Sequence, residues 1–188
     1  AKLIVNVGGS FTAAWMLMGM EAFCIAVGEG SPVVARLIRR IGEIQARVVE
    51  NLLGFEGVGA IAMPDDLAHS GGLMVHPRVL REHVFPWLKR IGERVHARGL
   101  PYICHSDGKL HGVIEELIEC GFDALHPCER ASMDIVDVKR RYGGRLCVCG
   151  NIDLDSTPKT TGVPSAGKTP KKRPGTEPDA GLEPQPEV

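Results

Sequence analysis

No CxxC pair occurs among the six cysteines, so the sequence offers neither a zinc ribbon nor a thioredoxin-like dithiol. Positive charge is not in excess: 22 Lys+Arg meet 23 Asp+Glu, giving a formal net charge of −1. That balance excludes nucleic-acid binding driven by bulk charge. No apolar run approaches the roughly 18 residues that a membrane span requires. The N-terminus lacks a secretory pattern, since Lys2 precedes only a short apolar stretch ending at Gly8-Gly9. A cytoplasmic protein with buried free thiols is therefore expected. Gly8-Gly9 and Gly71-Gly72 read as turn glycines, because no GxGxxG or GxxxxGK[ST] pattern accompanies them.

What the chain does have is an apolar complement of 44% in 188 residues, enough for a sizeable core. Its composition changes near Asp155. The 33 residues from Ser156 to Val188 contain seven prolines, four glycines and no aromatic residue. Such a segment buries too little apolar surface to offset the entropy of ordering it, so a disordered tail (156–188) is expected after a folded domain (1–155).

The first 155 residues alternate strand and helix patterns. Apolar runs at Leu3–Val7, Gly57–Met63, Tyr102–His105, Phe122–His126 and Leu146–Gly150 read as buried strands. Helical periodicity falls between them. Phe11–Val27 reads as one helix. The next has Ser31 as N-cap, Pro32 in the first position, and apolar residues recurring from Val34 to Leu52. A third opens at Pro77, is kinked or divided at Pro86 and ends at Gly99. Leu110–Cys120, and a helix capped by Ser132 and ending at Tyr142, complete the set. Strands separated by helices imply right-handed βαβ crossovers and a parallel sheet, either doubly wound or part of a (β/α)8 barrel.

Polar residues gather where the strands end: Asp65 and Asp66, then His105-Ser106-Asp107, then His126 and Glu129, then Asn151 and Asp153. In parallel α/β folds those ends converge on one crevice or mouth. Asp and Asn are also common turn residues, which accounts for Asp66 or Asp153 individually. Cys147 and Cys149 share a strand face, which packing explains. His69, His76, His83, His96 and His111 follow no ligand spacing and read as surface or capping residues.

Several short motifs, in order, resemble the uroporphyrinogen decarboxylase family. They are Gly9-Ser10-Phe11-Thr12, the Asp65-Asp66 loop, Phe85-Pro86-Trp87-Leu88-Lys89-Arg90-Ile91, His105-Ser106-Asp107-Gly108, His126-Pro127-Cys128-Glu129, Met133-Asp134 and Gly150-Asn151-Ile152-Asp153. The resemblance covers about residues 1–155 and implies an α/β fold of the (β/α)8 TIM-barrel type. About five βα units are present, so the barrel is expected to be incomplete, and a homo-oligomer could cover its open sheet edges. The family includes uroporphyrinogen decarboxylases, which use no cofactor, and corrinoid-dependent methyltransferases.

The methyltransferase branch implies a metal site resembling His-x-Cys. His105 matches its His, and Asp107 stands where its Cys would be. The resemblance thus implies that His105 and Asp107 hold a divalent metal, zinc foremost, beside a corrinoid partner protein; the alternative is a His–Asp hydrogen-bond pair that orients substrate without metal. Glu129 is expected as a further ligand or acid/base group, and Asp65 as a catalytic group orienting substrate. Asp66, Trp15, Asn151 and Asp153 are expected to bind substrate, with Trp15 in place of a family tyrosine. An acidic mouth welcomes a cation and repels a polycarboxylate, favouring corrinoid-linked methyl transfer. The alternatives are tetrapyrrole side-chain decarboxylation, with Asp65 or Asp107 stabilising a pyrrole cation, and an inactive paralogue acting as a binding module.

Overall fold

A computed structural model describes residues 1–152. The expected disordered tail (156–188) and Asp153 lie outside the described residues. Elements follow in the order β1 (Leu3–Asn6), α1 (Ser10–Met18), α2 (Met20–Gly28), α3 (Pro32–Leu52) and β2 (Val58–Pro64). A hairpin of β3 (Ala68–His69) and β4 (Gly72–Leu73) comes next. After it come α4 (Pro77–Val79), a π-helical turn (Leu80–Val84), α5 (Phe85–His96), β5 (Tyr102–His105), α6 (Ile114–Glu119), β6 (Ala124–Cys128), α7 (Ile135–Tyr142) and β7 (Cys147–Gly150).

β1, β2, β5, β6 and β7 form one sheet in that order, every neighbouring pair parallel. Strand succession along the sheet equals succession along the chain, as in a sector of a (β/α)8 barrel. Period-2 alternation divides the strands between two faces. Ile61, Met63, Tyr102, Cys104 and Leu125 enter the core, joined by Ile38 and Val49 of α3, Leu88 and Ile91 of α5, and Leu117 of α6. Ile103, His105 and His126 occupy the opposite face, where His105 is register-paired with His126. β1 and β7 are the outer strands, and Leu3 and Ile4 are each 63% exposed.

Local chemistry accounts for most boundaries. Ser31 caps α3 by accepting from Val33 N, with Pro32 in the first turn. Pro86 divides the next helix without ending it. Lacking an N–H, it cannot bond the carbonyl four residues back, and the chain inserts the π turn in which Phe85 N–H reaches Leu80 O. Gly99, at φ 64°, closes α5.

Three expected elements differ. The single helix over Phe11–Val27 is two helices that meet at 107°, because Gly19 takes φ 81°. The helix expected from Leu110 starts at Ile114, and Leu110–Val113 form a turn around Gly112. The last helix is capped by Asp134, which accepts from Val136 N at 2.9 Å, while Ser132 bonds to Glu129 instead. No single helix among the described residues is long and apolar enough to cross a membrane; α1 and α2 together pass by composition but are sharply bent.

Candidate active site at the strand ends

The mouth is assembled from the loops after β1, β2, β5 and β6. Asp65, just past β2, is 2% exposed and turns under α1, accepting from Thr12 N at 2.7 Å and Phe11 N at 3.3 Å. An acid at a helix N-terminus satisfies orphan donors and meets the positive end of the dipole. Only glycine fits above it, since a Cβ on Gly9 would overlap the Asp65 carboxyl. Burial is the main cause that raises the Asp65 pKa to about 6, against the lowering effect of these hydrogen bonds. Thr12 reciprocates, its Oγ1 accepting from Asp66 N at 2.8 Å.

That clasp turns the Asp66 side chain toward the next strand end. Its Oδ1 accepts from Asp107 N at 3.3 Å. Ser106, fully buried between the two acidic loops, accepts from Leu67 N at 2.9 Å and donates its backbone N–H to His126 O at 3.0 Å. Gly108 follows at φ 85°, so close to the backbone of Ala68–His69 that a Cβ could not be placed. The Gly108 N–H reaches Glu129 Oε2 at 2.7 Å, and Ser132 Oγ donates to the same oxygen at 3.1 Å. Glu129 Oε1 makes no hydrogen bond among the described residues.

Asp66, His105 and Asp107 each offer a ligand atom, and these atoms lie within 4.8 Å of one another. His105 Nδ1 is also 2.8 Å from His126 Nδ1. Burial raises the Asp107 pKa first, and the charges of Glu129 and Asp66 add to it, opposed by His105 and His126. Carboxylates that repel one another beside imidazole are relieved by a cation, so the donor set suits a divalent ion with oxygen and nitrogen preference. The adjoining cleft of about 440 Å³ is lined by Trp15, Met20, Asp66, His69, Met74, Asp107 and Glu129.

A sequence model of the family described as Uroporphyrinogen decarboxylase (URO-D) matches residues 1–159. The chain belongs to the uroporphyrinogen decarboxylase family. Among solved structures, this family member is similar to a methyltransferase from Methanosarcina mazei, with 18% identity and a TM-score of 0.63. The match covers 81% of this chain and 43% of that one, so the chain spans less than half the length of its structural neighbour. At that identity the likeness shows the fold. No curated protein matches the sequence.

Within this family framework, His105, Asp107, Asp66 and Trp15 all border the mouth, and the Trp15 indole Nε1 is buried with no partner among the described residues. Asp65 lies beneath the cleft and does not line it, with its oxygens turned to the backbone of α1. Asn151, at φ 77°, donates its Nδ2 to Cys128 O at 3.1 Å and so ties the ends of β6 and β7. His69 and His76 cap turns, accepting from Gly71 N and Arg78 N. His126 was readable as a strand-end residue within a motif, but its pairing with His105 depends on strand register and emerges only from the fold. Ser106 is legible in the sequence as part of a motif, whereas its role as the tie between two loops emerges only from the fold.

Proposed function

We propose that the strand-end mouth holds a divalent metal ion on Asp66, His105 and Asp107 and serves corrinoid-linked methyl transfer. The observation that carries this reading is the convergence of those three side chains from two successive strand ends. When bound, the ion supplies Lewis acidity that favours the ionised form of a substrate thiol or hydroxyl. The residues do the rest. Asp65 positions, holding α1 against β2 so that Thr12 can orient the Asp66 loop. Glu129 presents Oε1 as the acid/base atom while Gly108 and Ser132 fix Oε2. Trp15 and the two methionines give the cleft an apolar wall that excludes water from one side.

The decisive experiment measures metal stoichiometry of the folded chain beside His105→Ala. Near one equivalent, lost in the variant, supports the reading; no metal in a folded chain overturns it. The family's description supports a second reading, tetrapyrrole side-chain decarboxylation, with Asp107 facing a pyrrole cation. Release of CO2 from uroporphyrinogen separates the two. Tetrapyrrole binding without turnover would identify an inactive binding module.

A further inference from the structure

β7 carries a feature that the mouth does not use. Val148 packs against the core, so Cys147 and Cys149 project together from the other face of the strand. Among the described residues Cys147 is exposed, Cys149 is half-buried, and both are free thiols. This differs from Cys104, Cys120 and Cys128, which are buried as small hydrophobes. The two sulfurs stand 4.0 Å apart.

That separation has a chemical meaning. Two thiolates bound to one ion at about 2.3 Å, with an S–metal–S angle near 120°, are about 4.0 Å apart. The thiols therefore already sit at ligand spacing, without moving the strand. Neither Cys147 nor Cys149 belongs to the Asp66, His105 and Asp107 group, whose donors are oxygen and nitrogen. Sulfur donors select a different class of ion, soft and thiophilic.

We propose that Cys147 and Cys149 form a second metal site, a two-thiolate clamp for a soft ion such as Cu(I) or Cd(II), with a further coordination position open to an exogenous ligand. Binding forms two metal–sulfur bonds and breaks two S–H bonds, releasing two protons to solvent per ion. No electron is transferred. The site is independent of the reading of the mouth and stands or falls separately from it.

Cadmium alone, titrated anaerobically into the reduced chain, is the probe. One equivalent should produce a sulfur-to-cadmium charge-transfer band and release protons into a weakly buffered solution. Cys147→Ser and Cys149→Ser should each weaken binding at least about tenfold, as loss of one of two thiolate ligands requires. Cys24→Ser, which removes an exposed thiol elsewhere, and His105→Ala should leave the band in place. Cadmium should also protect Cys147 and Cys149 of the unsubstituted chain from alkylation, a readout that needs no variant to fold. A band that persists in the double Cys147→Ser, Cys149→Ser variant, or no band and no protection in the unsubstituted chain, would overturn the proposal.

Discussion

His105 Nδ1 and His126 Nδ1 are 2.8 Å apart, so one ring must carry a proton at that nitrogen and the other must accept it. The pairing comes from parallel register, in which His105 of β5 stands beside His126 of β6. A histidine that binds metal through one nitrogen is oriented by the partner of its other nitrogen. His126→Ala should therefore weaken metal binding roughly 10–100-fold, the usual cost of losing such a partner. His126→Asn, which keeps a polar group, should recover part of it. Metal titration by competition with a chromophoric chelator checks both.

Asp107 gives the mouth a pH dependence. Its carboxyl pKa is raised, so protons compete with a bound ion at a higher pH than they would at an ordinary aspartate. Metal affinity should fall as pH is lowered. Glu129→Gln removes one of the charges that raise Asp107, and should move that fall to lower pH. Chelator competition across the acid range, on both proteins, gives the comparison.

Asp65 governs stability with the opposite sign from a salt-bridged acid. Its pKa rises from 3.8 to about 6 on folding, so the folded chain binds the proton more tightly than the unfolded one. Its contribution is fully present below about pH 3.8 and is lost as pH rises through about 6. The full change is about 3 kcal/mol at 1.36 kcal/mol per pKa unit. Relative to Asp65→Asn, the unsubstituted chain should lose stability across that window and stay level above it. Urea unfolding at a series of pH values measures the difference, and two parallel curves would refute the assignment.

Gly108 is a hinge between packing and chemistry. At φ 85°, pressed on the Ala68–His69 backbone, it admits no side chain. Gly108→Ala should cost about 1–3 kcal/mol, the range for a strained backbone position. It should also weaken metal binding, because the loop that carries Asp107 is held through the Gly108 N–H to Glu129. Thermal unfolding together with chelator competition tests both effects.

The alternation of strand and helix was legible in the sequence, because each element has its own apolar period and its own caps. Tyr102–His105 is found at its expected bounds, and Ser31 and Pro32 open α3 as expected. The family was legible too, through short motifs whose order along the chain is local information. Strand ends carrying Asp66, His105, Asp107 and Glu129 were readable for the same reason. What those residues touch is a matter of long-range packing. Asp65 and Asp66 are adjacent in sequence, yet one turns under α1 and the other toward Asp107, because Thr12 and Phe11 arrive from more than 50 residues away. Likewise the pairing of His105 with His126 follows from contact between distant segments, whereas the bend at Gly19 and the cap at Asp134 are local features that the apolar period alone did not mark. Period and capping act within a few residues; register and burial are set only when the strands and helices pack together.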